Sequence, residues 1–225
     1  MKVLELFAGS KSVGKAAEEL GMEVFSCDIN AFDGIDYVGD IMDFDYNKVP
    51  FQPDIIWASP PCTGFSVAVI GRNWNMDKTP KTETARIGLE LVKKTIEVIN
   101  HFNPTYWFME NPRGMLRKIP IMEQFKRHTV TYCQYGDTRM KPTDVWTNSD
   151  LWMPKPACNN GDPCHIATPR GSNNGTKGLK NAYERSKIPH DLCLEVLKSC
   201  MYENQTPTSK GDGERNLSED LLRNG

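Results

Sequence analysis

Cys62 stands in "ASPPCTGFS", residues 58 to 66, behind two prolines and ahead of a glycine. Prolines restrict both their own backbone and that of the residue before them. A buried structural cysteine needs no such collar. A thiolate that must meet a substrate atom at one angle does. A free thiol of pKa ~8.5 is mostly neutral at neutral pH, so a nucleophile here calls for an electropositive setting. The plain alternative is a small apolar side chain in the core, the common fate of a free cysteine. Phe7, Ala8, Gly9 and Ser10 form a small-residue turn suited to close approach of a ligand to backbone N–H groups. Lys11-Ser12 lacks the upstream glycines of a phosphate loop. Asp28, about 20 residues beyond the turn, fits an acid that holds two ribose hydroxyls, or else a solvated carboxylate at a strand end. "CNNGDPCH" gathers Cys158, Cys164 and His165, and Cys133 could join them in space. The gap between its cysteines is wider than the usual two to four residues, so zinc and free thiols both stay open.

These groups need elements to position them. "MKVLELF", "MEVFSCD", "IDYVGDI", "PDIIWAS" and "TYWFMEN" read as strands. Helical spacing runs over Val13–Leu20, closed by Gly21, and most clearly over Glu83–Ile99. "HTVTYCQY" and "TDVWTN" read as two more strands, joined by "GDTRMKP" as a hairpin. Strands alternating with helices predict an α/β fold: a doubly wound, mostly parallel sheet with an antiparallel hairpin at one edge. Ligands bind outside the carboxyl ends of such strands. There the chain places "FAGS", Asp28, Asp40, "SPPC" and "MENP".

Hydrophobic residues make up 39% of the 225, enough for a real core, and 27 basic residues face 29 acidic ones. A net charge of −2 argues against a polyanion binder held by bulk charge, though it permits a local basic face. No signal-peptide pattern opens the sequence, and no apolar run approaches the ~20 residues of a membrane span. A soluble, intracellular protein without membrane contact is expected. Seven scattered cysteines then read as free thiols, a metal site or a nucleophile rather than disulfides.

The chain resembles the cytosine carbon-5 DNA methyltransferases, as a compact, divergent member of bacterial or phage type. "LELFAGS" matches their S-adenosylmethionine motif, "SPPC" their Pro-Cys nucleophile motif and "MEN" their Glu-Asn motif. "GDTRMK" lies near where they keep a Gln-x-Arg-x-Arg signature. The order agrees across residues 1 to 148. Lys11-Ser12 replaces the glycine pair usual after "FAG", Pro112 follows Glu110-Asn111, and Lys141 stands for the second arginine.

The resemblance implies a Rossmann-like domain over 1–148 and S-adenosyl-L-methionine held by Phe7, Ala8, Gly9, Ser10, Asp28, Ile29, Asp40, Ile41 and Pro60. It implies methyl transfer to carbon 5 of cytosine in double-stranded DNA, with the base flipped from the stack. Carbon 5 becomes nucleophilic when a thiolate adds at carbon 6, and Cys62 is that thiolate. Glu110, its carboxyl pKa raised beside Trp107, Phe108 and Met109, would hold the base and donate to ring nitrogen 3. Asn111 would orient neighbouring loops. Arg139 would contact the ring carbonyl, and with Lys141 supply the positive field. Residues 63–82, without clear period, read as a flap with Phe65 and Trp74 as apolar cover. Residues 149–187 form a short, basic, loop-rich recognition insert; 188–202 a helix returning to the catalytic domain; 203–225 a flexible tail. Alternatives are an RNA cytosine methyltransferase and a catalytically silent DNA-binding relative. A monomer in the cytoplasm of a bacterial or phage-infected cell, with a restriction enzyme as one possible companion, completes the expectation.

Overall fold

The structure is a computed structural model that describes residues 1–167 and 181–201. Arg170, Lys177 and Lys180 of the basic stretch, and the expected tail, lie outside the described residues.

Strands β1 (Lys2–Leu6), β2 (Glu23–Asp28), β3 (Tyr37–Val38), β4 (Ile55–Ala58), β5 (Tyr106–Pro112), β6 (Lys126–Thr131) and β7 (Pro142–Thr147) form one sheet in the order β3-β2-β1-β4-β5-β7-β6. The first five are parallel to their neighbours. β7 runs antiparallel to both β5 and β6. The hairpin therefore folds inward: β7 inserts beside β5, and β6 takes the edge. β3 shrinks to two residues, because Gly39 and Asp40 turn the chain away after one step of pairing with β2.

Alternation along each strand divides the core into two layers. Leu4 and Leu6, Ile56 and Ala58, and Trp107 and Met109 face one side. Val3, Ile55 and Trp57, and Tyr106 and Phe108 face the other. Helix α1 (Ser12–Glu19) covers the second layer through Val13, Ala16 and Ala17. Between β4 and the next long helix lies a short helix, α2 (Ile70–Asn73). Helix α3 (Glu83–Phe102) covers the first layer. Thr82 caps it, its Oγ1 accepting from the Ala85 amide at 3.4 Å, and Asn103 ends it in a left-handed turn at φ +43°. A short helix α4 (Pro120–Glu123) precedes β6, and α5 (Ala182–Ser186) precedes α6 (His190–Met201). α6 buries Leu192, Cys193, Val196, Leu197 and Cys200 in the layer that also holds α1. The amide just before it, at Ile188, donates to Ser12 Oγ at 3.2 Å. Among the described residues no helix is long and apolar enough to cross a membrane.

Candidate active site

β1 runs into the turn Phe7–Ser10, where Phe7 and Gly9 adopt φ of +56° and +51°. The left-handed residues fold the turn back so that Ala8 donates to the Cys27 carbonyl at 3.0 Å. Asp28 ends β2 and braces the same turn. Its Oδ2 accepts from the Gly9 amide at 3.0 Å and its Oδ1 from the Asn30 amide at 2.8 Å. Asp40 caps a single helical turn, Ile41–Asp43, by accepting from the Met42 amide at 2.9 Å. Ile41 is buried, while Ile29, Val38 and Met42 are exposed at the carboxyl ends of β2 and β3.

Glu5 has no assigned role in the sequence reading, yet it anchors α1. Its carboxyl group accepts from the Val13 amide at 3.1 Å and the Gly14 amide at 2.9 Å, the unpaired donors of the helix N-terminus. Burial pushes its pKa up to about 7, against the pull of those two amides and of Lys11. An acid at one position of an otherwise apolar, buried strand was the signal that could have found it.

The proline collar is held from below. The buried Asn111 donates from Nδ2 to the Pro60 carbonyl at 2.8 Å. Asn111 thus positions the cysteine loop, in line with the orienting role expected of it. Cys62 opens a helical turn, Cys62–Gly64, and its carbonyl accepts from the Phe65 and Ser66 amides, each at 3.0 Å. The next segment is not the open flap expected of 63–82. Val67–Val69 and α2 make further helical turns. Phe65 and Trp74 are buried and stacked, with centroids 5.6 Å apart, so they pin the segment to the core rather than cover a ligand. Trp74 Nε1 also donates to the Gly64 carbonyl at 2.8 Å. Gly114 lets the chain leaving β5 cross this segment closely: a Cβ there would lie 2.2 Å from the Phe65 carbonyl oxygen. Thr63, Val67, Ala68 and Arg72 remain exposed and line the cavity.

A cavity of about 1050 Å³ opens over these strand ends. Phe7, Ala8, Gly9 and Ser10 line it after β1, Pro60 and Cys62 after β4 alongside them, and Glu110 and Lys141 from β5 and the approach to β7. Asp28, Ile29, Asp40 and Ile41 stand outside this lining, Asp28 directly behind Gly9.

Cys62 is partly buried. Burial pushes its thiol up, Glu110 adds to this, and Lys141 and Arg185 pull it down. The thiol is therefore neutral in this state, because nearby positive charge offsets burial only in part. Glu110 is buried at the end of β5 and accepts from the Tyr132 hydroxyl at 2.9 Å. Burial raises its pKa, outweighing Lys141 and the hydrogen bonds from Tyr132 and Ser59. Tyr132 is a partner that sequence patterning does not single out: it reads as one more aromatic of a strand, but it begins the turn Tyr132–Tyr135 after β6.

The two hairpin cations go to different places. Arg139 is paired with Asp137, Nε lying 2.8 and 2.9 Å from the two carboxylate oxygens. It lines a neighbouring cavity with Asp137 and His190 rather than the one holding Cys62. Lys141 adopts φ +27°, which turns its side chain inward. Its Nζ lies 4.5 Å from the Tyr132 ring centroid and donates to the Arg185 carbonyl at 2.9 Å. Burial lowers its pKa, and Glu110 and Cys62 raise it in part. Cys158, Cys164 and His165 come together away from this cavity, with Cys133 among them.

The family model of C-5 cytosine-specific DNA methylases matches residues 1–127. A curated frog virus 3 (isolate Goorha) protein named "Probable DNA (cytosine-5)-methyltransferase" is 31% identical over 219 residues, covering 89% of this chain and all of that one. Among solved structures, an E. coli prophage chain described as a DNA modification methyltransferase superposes with a TM-score of 0.49 at 16% identity, over 71% of this chain and 52% of that one. The Entamoeba histolytica methyltransferase EhMeth gives 0.48 at 13% identity, over 65% and 52%. The chain spans about half the length of these two solved proteins. With over half its length matched by the family model and 89% of it aligned to the whole of the viral relative, the chain belongs to the C-5 cytosine-specific DNA methylase family.

Proposed function

We propose that the protein transfers a methyl group from S-adenosylmethionine to carbon 5 of a flipped cytosine in DNA, through a covalent bond to Cys62. The observation that carries this reading is the convergence of Cys62, Glu110 and Lys141 on one cavity that the Phe7–Ser10 turn also lines. DNA as substrate follows the family model and the name of the viral relative.

The residues at the carboxyl ends of β1 to β3 fit the cofactor. The Phe7–Ser10 turn lines the cavity, the Asp28 carboxylate braces that turn from behind, and exposed Ile29, Val38 and Met42 offer an apolar bed for a purine ring. S-adenosylmethionine supplies an electrophilic methyl group. The chain supplies the rest. Cys62 loses its proton to solvent as Lys141 and Arg185 favour the thiolate, and Sγ bonds to carbon 6 of the base. Glu110, whose burial favours the protonated form, donates its proton to ring nitrogen 3, so charge does not build up on the ring. Carbon 5 then takes the methyl group as the bond from that methyl to sulfur breaks, with S-adenosylhomocysteine as the leaving group. Loss of the carbon 5 proton to solvent expels Sγ from carbon 6 as a thiolate and restores the aromatic ring, ring nitrogen 3 returns its proton to Glu110, and Cys62 takes a proton back from solvent.

The test is a trap. DNA carrying 5-fluorocytosine has no carbon 5 proton to lose, so with S-adenosylmethionine it should accumulate as a stable protein adduct. Cys62→Ser should abolish the adduct and leave cofactor binding near normal. An adduct that survives the substitution sinks the assignment, and one that forms with RNA but not DNA sinks the substrate class.

A further inference from the structure

We infer that Cys133, Cys158, Cys164 and His165 form a structural zinc site that fastens the segment after β7 to the turn after β6. Cys133 lies in the turn Tyr132–Tyr135; the other three lie between residues 158 and 165. Their ligand atoms all fall within 4.8 Å of one another. Cys133 Sγ is 3.1 Å from Cys158 Sγ and 3.6 Å from Cys164 Sγ. His165 Nδ1 is 3.6 Å from Cys158 Sγ and 3.4 Å from Cys164 Sγ.

Those four separations, four of the six edges that a tetrahedral set of ligands defines, lie near the spacing zinc requires. With Zn–S near 2.3 Å and Zn–N near 2.0–2.1 Å, tetrahedral ligands lie roughly 3.4–3.8 Å apart. The shortest edge still exceeds the ~2.05 Å of a disulfide by a wide margin. Three thiols and an imidazole, with no carboxylate among them, make a soft donor set that favours zinc over magnesium or calcium. Four protein ligands leave no open position, so the metal holds structure rather than performing chemistry.

The segment has reason to need such a pin. Among its described residues, 148 to 167, there is no helix or strand. Leu151, Met153 and Ile166 are exposed, and Trp152 is its one large side chain fully in the core. Two buried cysteines, Cys133 and Cys158, face the partly exposed pair Cys164 and His165. Backbone bonds already seat the ligand loop: the Cys158 amide on Thr131 Oγ1 at 3.1 Å and the Ile166 amide on the Thr138 carbonyl at 3.0 Å. A metal would close the arrangement that these bonds begin. Sequence spacing obscures the site because Cys133 comes from a different element, 25 residues upstream of Cys158.

Elemental analysis of the full chain, purified reduced and without a chelating tag, should find about one zinc per molecule. Cobalt added to the metal-stripped chain should give the visible bands of a tetrahedral thiolate complex. Cys164→Ser should lose the metal. His165→Cys keeps four ligands and should keep the metal while shifting the cobalt spectrum toward the all-thiolate type. A reduced wild-type chain that takes up neither zinc nor cobalt in stoichiometric amount would overturn the inference. So would a His165→Cys spectrum identical to the wild type, or a Cys133–Cys158 disulfide recovered from protein kept reduced throughout. Because the wild-type cobalt titration stands alone, a variant that fails to fold does not rescue the idea.

Discussion

The two ends of the cavity are built on different principles. At the β1–β3 end, contacts run through backbone: left-handed Phe7 and Gly9 shape a turn, and Asp28 and Asp40 spend carboxylate oxygens on amides of their own loops. At the β4–β5–β7 end, ionisable side chains are drawn out of water and set against each other. Cys62, Glu110 and Lys141 are all displaced by burial toward their neutral forms, and each partly restores the charge of another. One end can hold a ligand by shape. The other can move protons, since groups biased toward neutrality and coupled to neighbours respond when a substrate completes the site.

The sharpest way to break this division is to compare one carboxyl group from each end. Glu110→Gln keeps a hydrogen-bonding side chain but cannot donate the acid proton, so turnover should fall ~10²–10⁴-fold with cofactor affinity nearly intact. Asp28→Ala should do the reverse, weakening cofactor binding by about 1–3 kcal/mol while turnover at saturation stays within a few fold. Single-turnover methylation and equilibrium cofactor binding, measured on both variants, separate the two. Equal losses of saturated turnover would mean that the ends do not divide the work.

Much of this arrangement was legible from the chain, for a physical reason. Strand alternation and strand-end position are local, so β1, β2, β4 and β5, and the convergence of "FAGS", "SPPC" and "MENP", follow from short stretches. What patterning missed or left open depends on how side chains turn once the fold closes. Lys141 reaches the cavity through a backbone conformation that a lysine rarely adopts. Tyr132 reaches Glu110 because a strand pattern becomes a helical turn at that residue. Phe65 and Trp74 look like free apolar cover in sequence, but their mutual stacking takes them into the core. Cys133 joins its partners across a hairpin, which no local spacing encodes.

Glu5 tests the β1–β3 end, where it is a buried acid beneath the turn. Its folded pKa of about 7 lies above the ordinary 4.5, so the native state binds the proton more tightly than the unfolded chain does. That contribution is fully present below pH 4.5 and is lost as pH rises through about 7. The stability at stake is about 3 kcal/mol, given a little over a kcal/mol per pKa unit. Denaturant unfolding of the wild type near about pH 5 and about pH 8 should reveal this part of the slope, and Glu5→Gln should remove it. If the variant keeps the full slope, Glu5 is not the titrating group.

The smallest expected effect divides the two hairpin cations and so sharpens the catalytic end. Lys141 shares the cavity wall with Cys62 and Glu110, and its charge favours the thiolate that the proposed reaction needs. Lys141→Met keeps much of the stem's packing against Tyr132 but removes that charge, so turnover should fall ~10-fold and the pH at which activity appears should rise. Arg139 is committed elsewhere. Its guanidinium is paired with Asp137, and its nearest cavity is the neighbouring one. Arg139→Met should leave turnover within a few fold, yet lower stability by about 1–3 kcal/mol, because Asp137 keeps its partial burial and loses its partner. Paired measurement of the pH–rate profile and the unfolding midpoint reads both predictions at once. A reversed outcome, with Arg139→Met shifting the profile and Lys141→Met shifting only the midpoint, would move the positive charge that serves Cys62 back to the arginine. The hairpin would then have to rearrange when DNA binds.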